Sequence, residues 1–310
     1  MKINRLAFLT ILLTYGLIVF GGYVASSESG MGCGPEWPLC NGEVVPILKG
    51  ETLIEFAHRV IGAILAVLGV YLFIKILRTN RESQIRTVAW WMILLLVVQI
   101  LLGAVVVVLD LPSIVVTAHL LIAMVFLGAL IYIWKNTTDK ESSPQLLYSS
   151  SLSENKQKSA KRHLNFLLIL LILTLAFGAY IKHQSYGLAC GWLVCGDSIN
   201  PRTLPELLQT IHRVLAAVST IYIFLLTLWT FSKKWGGSLQ KRSIIVLLTV
   251  LLQLVVGVLT VISYLEIPWA VLHLAIGTAL FAFVFEARVC LGSQVEVTRL
   301  SEIASKKRSI

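Results

Sequence analysis

The sequence predicts an all-α integral membrane protein, with eight transmembrane helices arranged as two parallel-repeat four-helix bundles related by a pseudo-two-fold axis along the membrane normal. Three observations predict it. Hydrophobic residues fill 57% of the 310 positions and charged residues 14%, against roughly 25% charged in soluble domains. Eight apolar runs are long enough to cross a bilayer, which takes roughly 18 residues or more. A set of polar and small residues in the first half recurs in the second at a nearly constant spacing.

The runs lie at about 6–24, 57–77, 88–109, 114–134, 163–181, 207–231, 243–264 and 268–289. The first follows Lys2 and Arg5, as the core of a signal peptide would. No small-residue cleavage site follows it directly, and it is long enough to span, so it reads as a helix. It ends in Gly21-Gly22-Tyr23-Val24, and a loop with Cys33 and Cys40 follows. The second run opens on Glu55-Phe56-Ala57-His58-Arg59, where the polar loop gives way to apolar chain. Runs three and four carry Gln99, Gly103 and His119. Residues 136–162 are polar, rich in Ser, Lys and Asn, and read as a linker.

The same order then begins again. Run five ends in Gly178-Ala179-Tyr180-Ile181, and its loop holds Cys190 and Cys195. The Gly-x-Tyr and first-cysteine positions match at an offset of 157. Past the loops the offset becomes 154: His58-Arg59 matches His212-Arg213, Gln99 and Gly103 match Gln253 and Gly257, and His119 matches His273. This is a duplicated four-helix unit. An even number of spans per unit keeps both units in one orientation, so the repeats are parallel. The predicted divisions are 1–135, a linker at 136–162, 163–290, and a tail at 291–310.

The net charge of +10 invites a nucleic-acid reading, and the placement of the charges excludes it. With the N-terminus inside, inner segments hold 21 of the 26 Lys and Arg. That asymmetry is the positive-inside rule, and it puts both termini in the cytoplasm and the cysteine loops outside the cell membrane. Trp90, Trp91, Trp134, Trp229 and Trp235 then fall near the inner interface. Trp37, Trp192 and Trp269 fall near the outer one, as an aromatic belt requires. The outer compartment is oxidising, so Cys33–Cys40 and Cys190–Cys195 are expected as disulfides. Cys290, at the inner end of the last span, is not expected in a disulfide.

His58, His119, His212 and His273 lie near the outer ends of four spans. His119 is about five residues in, hence roughly 8 Å deep at 1.5 Å per residue. Ionisable groups inside a membrane are costly and usually functional. Two imidazoles on neighbouring helices suit axial ligation of haem iron. Zinc fits less well, because it takes three or four protein ligands in most sites. Arg59 and Arg213 each follow a histidine. They read either as contacts to haem propionates or as interfacial side chains that snorkel. Glu55 precedes His58 by three residues, so the two share a face if the helix starts early enough. Its counterpart is Gln209. A carboxylate beside a reacting group serves proton transfer. The plainer reading is a loop glutamate near a helix N-terminus.

Together, Glu-x-x-His-Arg at 55–59, the cysteine loop at 33–40, the second His-Arg at 212–213, and His119 and His273 resemble the haem A synthase family. The resemblance is to its bacterial form, with a cysteine pair in each of two outer loops, and it covers nearly the whole chain. It implies a membrane oxidoreductase that converts a ring methyl of haem O to a formyl group, giving haem A for terminal oxidases. It implies that His212 and His273 bind a haem b cofactor, and that His58 and His119 receive the substrate haem. Glu55, Cys33 and Cys40 match the family's catalytically important residues, and Cys190 and Cys195 its structural pair. Haem O is then the substrate and the lipid bilayer the surroundings. The haem O-producing farnesyltransferase is a natural partner for substrate hand-over.

Two rivals stand beside this. A di-haem electron carrier of cytochrome-b type would use the same four histidines without modifying haem. A transporter would explain the duplication, although the spans lack broken Gly/Pro-rich centres and midplane acids.

Overall fold

The computed structural model describes residues 1–138, 154–191, 195 and 201–308, with the side chains of 154 and 292–308 left aside. Trp192 and most of the linker therefore lie outside the described residues. Eight helices follow one another: α1 (Ile3–Ser26), α2 (Gly50–Thr79), α3 (Ser83–Val108), α4 (Ser113–Asn136), α5 (Glu154–His183), α6 (Leu204–Ser232), α7 (Gly237–Ile262) and α8 (Ile267–Arg308). Each coincides with one predicted run and is long and apolar enough to cross a membrane. No strand occurs among the described residues.

The helix bounds differ from the sequence reading at instructive places. α2 begins at Gly50, before the apolar run, so Glu55 and His58 do share one helix. α5 begins at Glu154, inside the segment read as linker. Its polar start hides a buried stripe: Gln157, Ala160, Leu164 and Leu167 are all enclosed, at the three- and four-residue steps of a helix face. α8 continues through the segment read as tail. α3 and α7 stop just short of the predicted ends. The chain there turns through a left-handed pair, Asp110-Leu111 in one half and Tyr264-Leu265 in the other. Leu111 N–H returns to the Val106 carbonyl and Leu265 N–H to Thr260, closing the helix end in the manner of a C-terminal cap.

Packing repeats between the halves. α1 packs on α2, α2 on α3, α3 on α4 and α4 back on α1, while α5 to α8 do the same among themselves. The leucine of each left-handed turn seats on a glycine after the first helix of its half. A Cβ added at Gly30 would lie 2.5 Å from Leu111, and one at Gly187 would lie 2.8 Å from Leu265. Each half has its own core, around Leu72, Met92 and Leu130 in the first and around Leu167, Ile223 and Val284 in the second.

The halves meet through α1 with α8, α4 with α5, and α4 with α8. A third core fills that seam, built from Ile18, Met124, Leu127, Ile131 and Phe281. Gly128 lets the Phe285 ring approach α4, where a Cβ would come within 3.2 Å of it, as small residues do at membrane helix contacts. Two buried threonines of α1 bond within their own helix: Thr10 donates to the Leu6 carbonyl at 2.8 Å and Thr14 to the Thr10 carbonyl at 2.7 Å. In hydrocarbon an unpaired polar group would cost several kcal/mol.

At the end of the bundle away from the histidines, Glu286 of α8 pairs with Lys135 of α4 at 2.6 Å and with Arg242 of α7 at 2.7 Å. This ion triad joins the two halves. Glu286 sits near the end of span eight, away from its middle. Trp235, expected near the inner interface, lies in the turn between α6 and α7, buried beside His163.

Candidate functional site

The four histidines sit in four equivalent seats, each made by a glycine on a neighbouring helix. A Cβ at Gly21 of α1 would lie 3.1 Å from His58 Nε2, and one at Gly178 of α5 would lie 2.8 Å from His212 Cε1. A Cβ at Gly103 of α3 would lie 3.3 Å from His119 Cε1, and one at Gly257 of α7 would lie 3.0 Å from His273 Cε1. Each ring thus comes close to bare helix backbone, where an added side chain would crowd it. In each half the two imidazoles are electrostatic neighbours, His58 of His119 and His212 of His273. Each half therefore holds its own two histidines near each other.

The polar atoms around these rings are unevenly served. His212 Nδ1 lies 3.0 Å from the Thr174 carbonyl, so its N–H donates there and the Nε2 lone pair stays available. Metal-binding histidines are commonly oriented by such a bond. By contrast, His119 Nδ1 and His273 Nδ1 are buried without a partner, and so are Gln99 Oε1 and Gln253 Oε1. The Gln253 amide nitrogen reaches only His273 Nε2, at 3.3 Å. Buried unpaired atoms cost about 1–3 kcal/mol each. Their recurrence at the same two positions in both halves marks sites built for something further.

Two imidazoles per half, on α2 and α4 or on α6 and α8, fit a porphyrin iron, whose four ring nitrogens supply the remaining ligands. Among the described residues no three His, Cys, Asp or Glu gather closely enough to hold an ion by themselves.

Above the first pair lies the cysteine loop. Cys33 and Cys40 form a disulfide, as do Cys190 and Cys195. Glu55 is buried, with 4% of its surface exposed, which overturns the plainer reading of an exposed loop carboxylate. Its Oε2 accepts the Cys33 N–H at 2.7 Å. Its Oε1 accepts Arg59 Nε at 3.0 Å and Nη2 at 2.5 Å. Arg59 Nη1 then donates to the Leu39 carbonyl at 2.8 Å. One carboxylate and one guanidinium, a helical turn apart, thus grip both sides of the disulfide loop. Thr52 adds a bond to the Gly32 carbonyl at 2.7 Å.

The second half repeats the grip with neutral parts. Gln209 Oε1 accepts the Cys190 N–H at 2.6 Å, and its amide nitrogen donates to the Gly187 carbonyl at 2.7 Å. Arg213 reaches the Cys190 carbonyl at 3.4 Å.

The sequence matches known proteins along most of its length. A family model, COX15-CtaA, described as cytochrome oxidase assembly protein, matches residues 4–285. The chain belongs to the COX15-CtaA family. Curated relatives named haem A synthase include one from Bacillus cereus (strain G9842), 31% identical over 320 aligned positions that cover 99% of this chain and 98% of the relative. One from Geobacillus thermodenitrificans is 30% identical over 272 positions, covering 86% and 84%. One from an Exiguobacterium species is 26% identical over 263 positions, covering 82% of each.

In this COX15-CtaA chain, several site features escaped the sequence reading. The glycines at 103 and 257 were visible as repeat positions, but their task as histidine seats was not. The Thr174 carbonyl carries no side-chain signal at all. Arg59 was expected to meet a ligand or solvent, and it is instead committed to Glu55 and Leu39. His163, which received no role, bonds the Tyr222 hydroxyl through Nδ1 at 2.7 Å.

Proposed function

We propose that this chain is a haem A synthase of the cell membrane, which oxidises a ring methyl of haem O to a formyl group. The observation that carries the reading is the doubled, glycine-seated histidine pair with a carboxylate beside one pair only. Family membership and the names of the relatives support it. The di-haem carrier finds no counterpart among those relatives and gives no reason for Glu55 to differ from Gln209.

In this proposal the halves divide the work. Residues 1–135 form the substrate half, where His58 and His119 would hold haem O. Residues 163–290 form the cofactor half, where His212 and His273 hold haem b and the Thr174 carbonyl fixes the His212 ring. Forming an aldehyde from a methyl group removes four electrons and adds one oxygen. Bound haem b supplies the one-electron chemistry that no side chain here can perform.

The protein's own groups do the rest. His58 and His119 orient the substrate, which lowers the entropy cost of reaching the reactive geometry. Glu55, on the same helix face as His58, takes up protons released near the methyl group. The Cys33–Cys40 loop, gripped by Glu55 and Arg59, closes the site from outside and excludes water. Arg213, beside Cys190, meets a propionate of haem b, whereas Arg59 serves the loop through Glu55 and the Leu39 carbonyl. Both termini face the cytoplasm in this reading, and haem O arrives through the bilayer from the farnesyltransferase that makes it. The two halves are related by a pseudo-two-fold axis along the membrane normal.

Pigment extraction from the purified protein tests the function. A synthase yields haem A or haem O beside haem b. A preparation that yields haem b alone, even when haem O is made in the same cells, overturns the proposal.

A further inference from the structure

Gly21 and Gly22 face different ways. Gly21 carries the His58 ring of its own half. Gly22 meets the other half: a Cβ there would lie 2.4 Å from Leu274 Cδ2 of α8, closer than real side chains tolerate. Leu274 is the residue after His273. One turn or two along the same helix pair, the Tyr15 hydroxyl donates to the Ala275 carbonyl at 3.1 Å. An unbroken line therefore runs from the His58 ring to Gly21, through the peptide to Gly22, across one van der Waals contact to Leu274, and through the peptide to His273.

The repeat makes the glycine informative. At the offset of 157 that equates Gly21 with Gly178, the counterpart of Gly22 is Ala179. Both halves need the first glycine as a histidine seat. The second glycine is specific to the half that touches α8 at Leu274. A requirement for helix flexibility or for the histidine seat would not distinguish the two halves in this way. A requirement for close approach to the Leu274 side chain does.

We infer that Gly22, with Leu274 and Tyr15, is the positioning element that sets the separation between the two histidine sites and carries the electronic coupling between them. This rests on the haem reading above. Exchange along the line turns one ferrous and one ferric centre into one ferric and one ferrous, and it moves no atom. Gly22 touches no reacting group, so its effect passes wholly through spacing.

The test uses the full chain, purified with protohaem in both sites. Gly22→Ala should leave both bis-histidine optical spectra in place. It should lengthen the iron–iron separation read by pulsed electron paramagnetic resonance, and slow haem oxidation by roughly tenfold to a hundredfold, the scale of a misplacement of about 1 Å. Leu274→Ala in the Gly22→Ala background removes the colliding carbons and should restore both the separation and the rate. Gly16→Ala, where a Cβ meets nothing within 4 Å, should change neither. If Gly22→Ala does not fold, Tyr15→Phe adds no atom and should broaden the separation and slow oxidation in the same direction.

A pigmented wild type whose Gly22→Ala or Tyr15→Phe variant keeps its separation and rate overturns this inference alone, as does a Gly22→Ala loss that Leu274→Ala fails to restore. A wild type that holds no porphyrin overturns the haem reading, and this inference with it.

Discussion

Glu55 and Gln209 hold the same place in the two halves: each accepts the backbone N–H of the first cysteine in its loop, at 2.7 Å from Cys33 and 2.6 Å from Cys190. An amide is therefore sufficient to hold such a loop. What the carboxylate adds in the first half is charge, and with it a paired Arg59 and a capacity for protons.

Glu55→Gln should for that reason preserve the fold and the spectrum of haem b while haem A formation falls by about 100-fold or more, the range of a lost general base. The reciprocal Gln209→Glu should leave turnover within a few-fold. Pigment analysis of both variants checks the pair. Normal haem A yield from Glu55→Gln would remove Glu55 from the chemistry and leave it as a loop anchor.

The glycine seats rank by crowding. Gly178→Ala places a Cβ 2.8 Å from His212, whereas Gly103→Ala places one 3.3 Å from His119. Displacing a ligand through its support costs roughly 10–100-fold in affinity for the metal group. Gly178→Ala should accordingly lose most of its haem b on purification. Gly103→Ala should keep its haem b and weaken haem O binding by a smaller factor. Titrating each variant with the corresponding haem gives the comparison, and equal losses at the two seats would contradict the ranking.

The Cys33–Cys40 disulfide is enclosed, with cysteine exposures of 0% and 1%. A reductant or a redox partner reaches it only after the loop lifts. Arg59→Ala removes the bonds to Glu55 and to the Leu39 carbonyl, each charge-assisted and worth about 1.5–3 kcal/mol. Reduction by a mild thiol, followed by alkylation and mass spectrometry, should then run about tenfold faster or more at Cys33 and Cys40, with Cys190 and Cys195 unchanged. An unaltered rate would show that the loop opens by another route.

Glu286→Gln strips the counter-charge from both Lys135 and Arg242. Breaking a largely buried pair on one side costs about 3–5 kcal/mol. The melting temperature in detergent should fall by several degrees while the haem spectra stay as they are, because the triad lies at the opposite end from the histidines. Loss of haem at unchanged stability would assign the triad to the site instead.

Much of this was legible in the sequence. Eight spans followed from apolar length, and the correspondence of the four histidines followed from one fixed offset. What remained hidden was contact that leaves no residue signature. The start of α5 went unseen because Gln157 is polar by type and buried in place. Glu286 went unseen because its partners Lys135 and Arg242 lie on helices distant in sequence. The fate of Arg59 was open because a guanidinium beside a membrane serves a ligand, a loop or water equally well, and the position of the Leu39 carbonyl decides it.

The seam between the halves is fastened at both ends. Gly22 against Leu274, the bond from Tyr15 to Ala275, and the bond from Ser113 to the His183 carbonyl at 2.9 Å close one end. Lys135, Glu286 and Arg242 close the other, with Met124, Leu127 and Phe281 locked between. Duplicated membrane bundles that carry solutes work by rocking one repeat against its twin. A joint stapled top and bottom has no hinge for that motion. Two halves joined in this way form one frame, in which the two histidine sites keep a single separation.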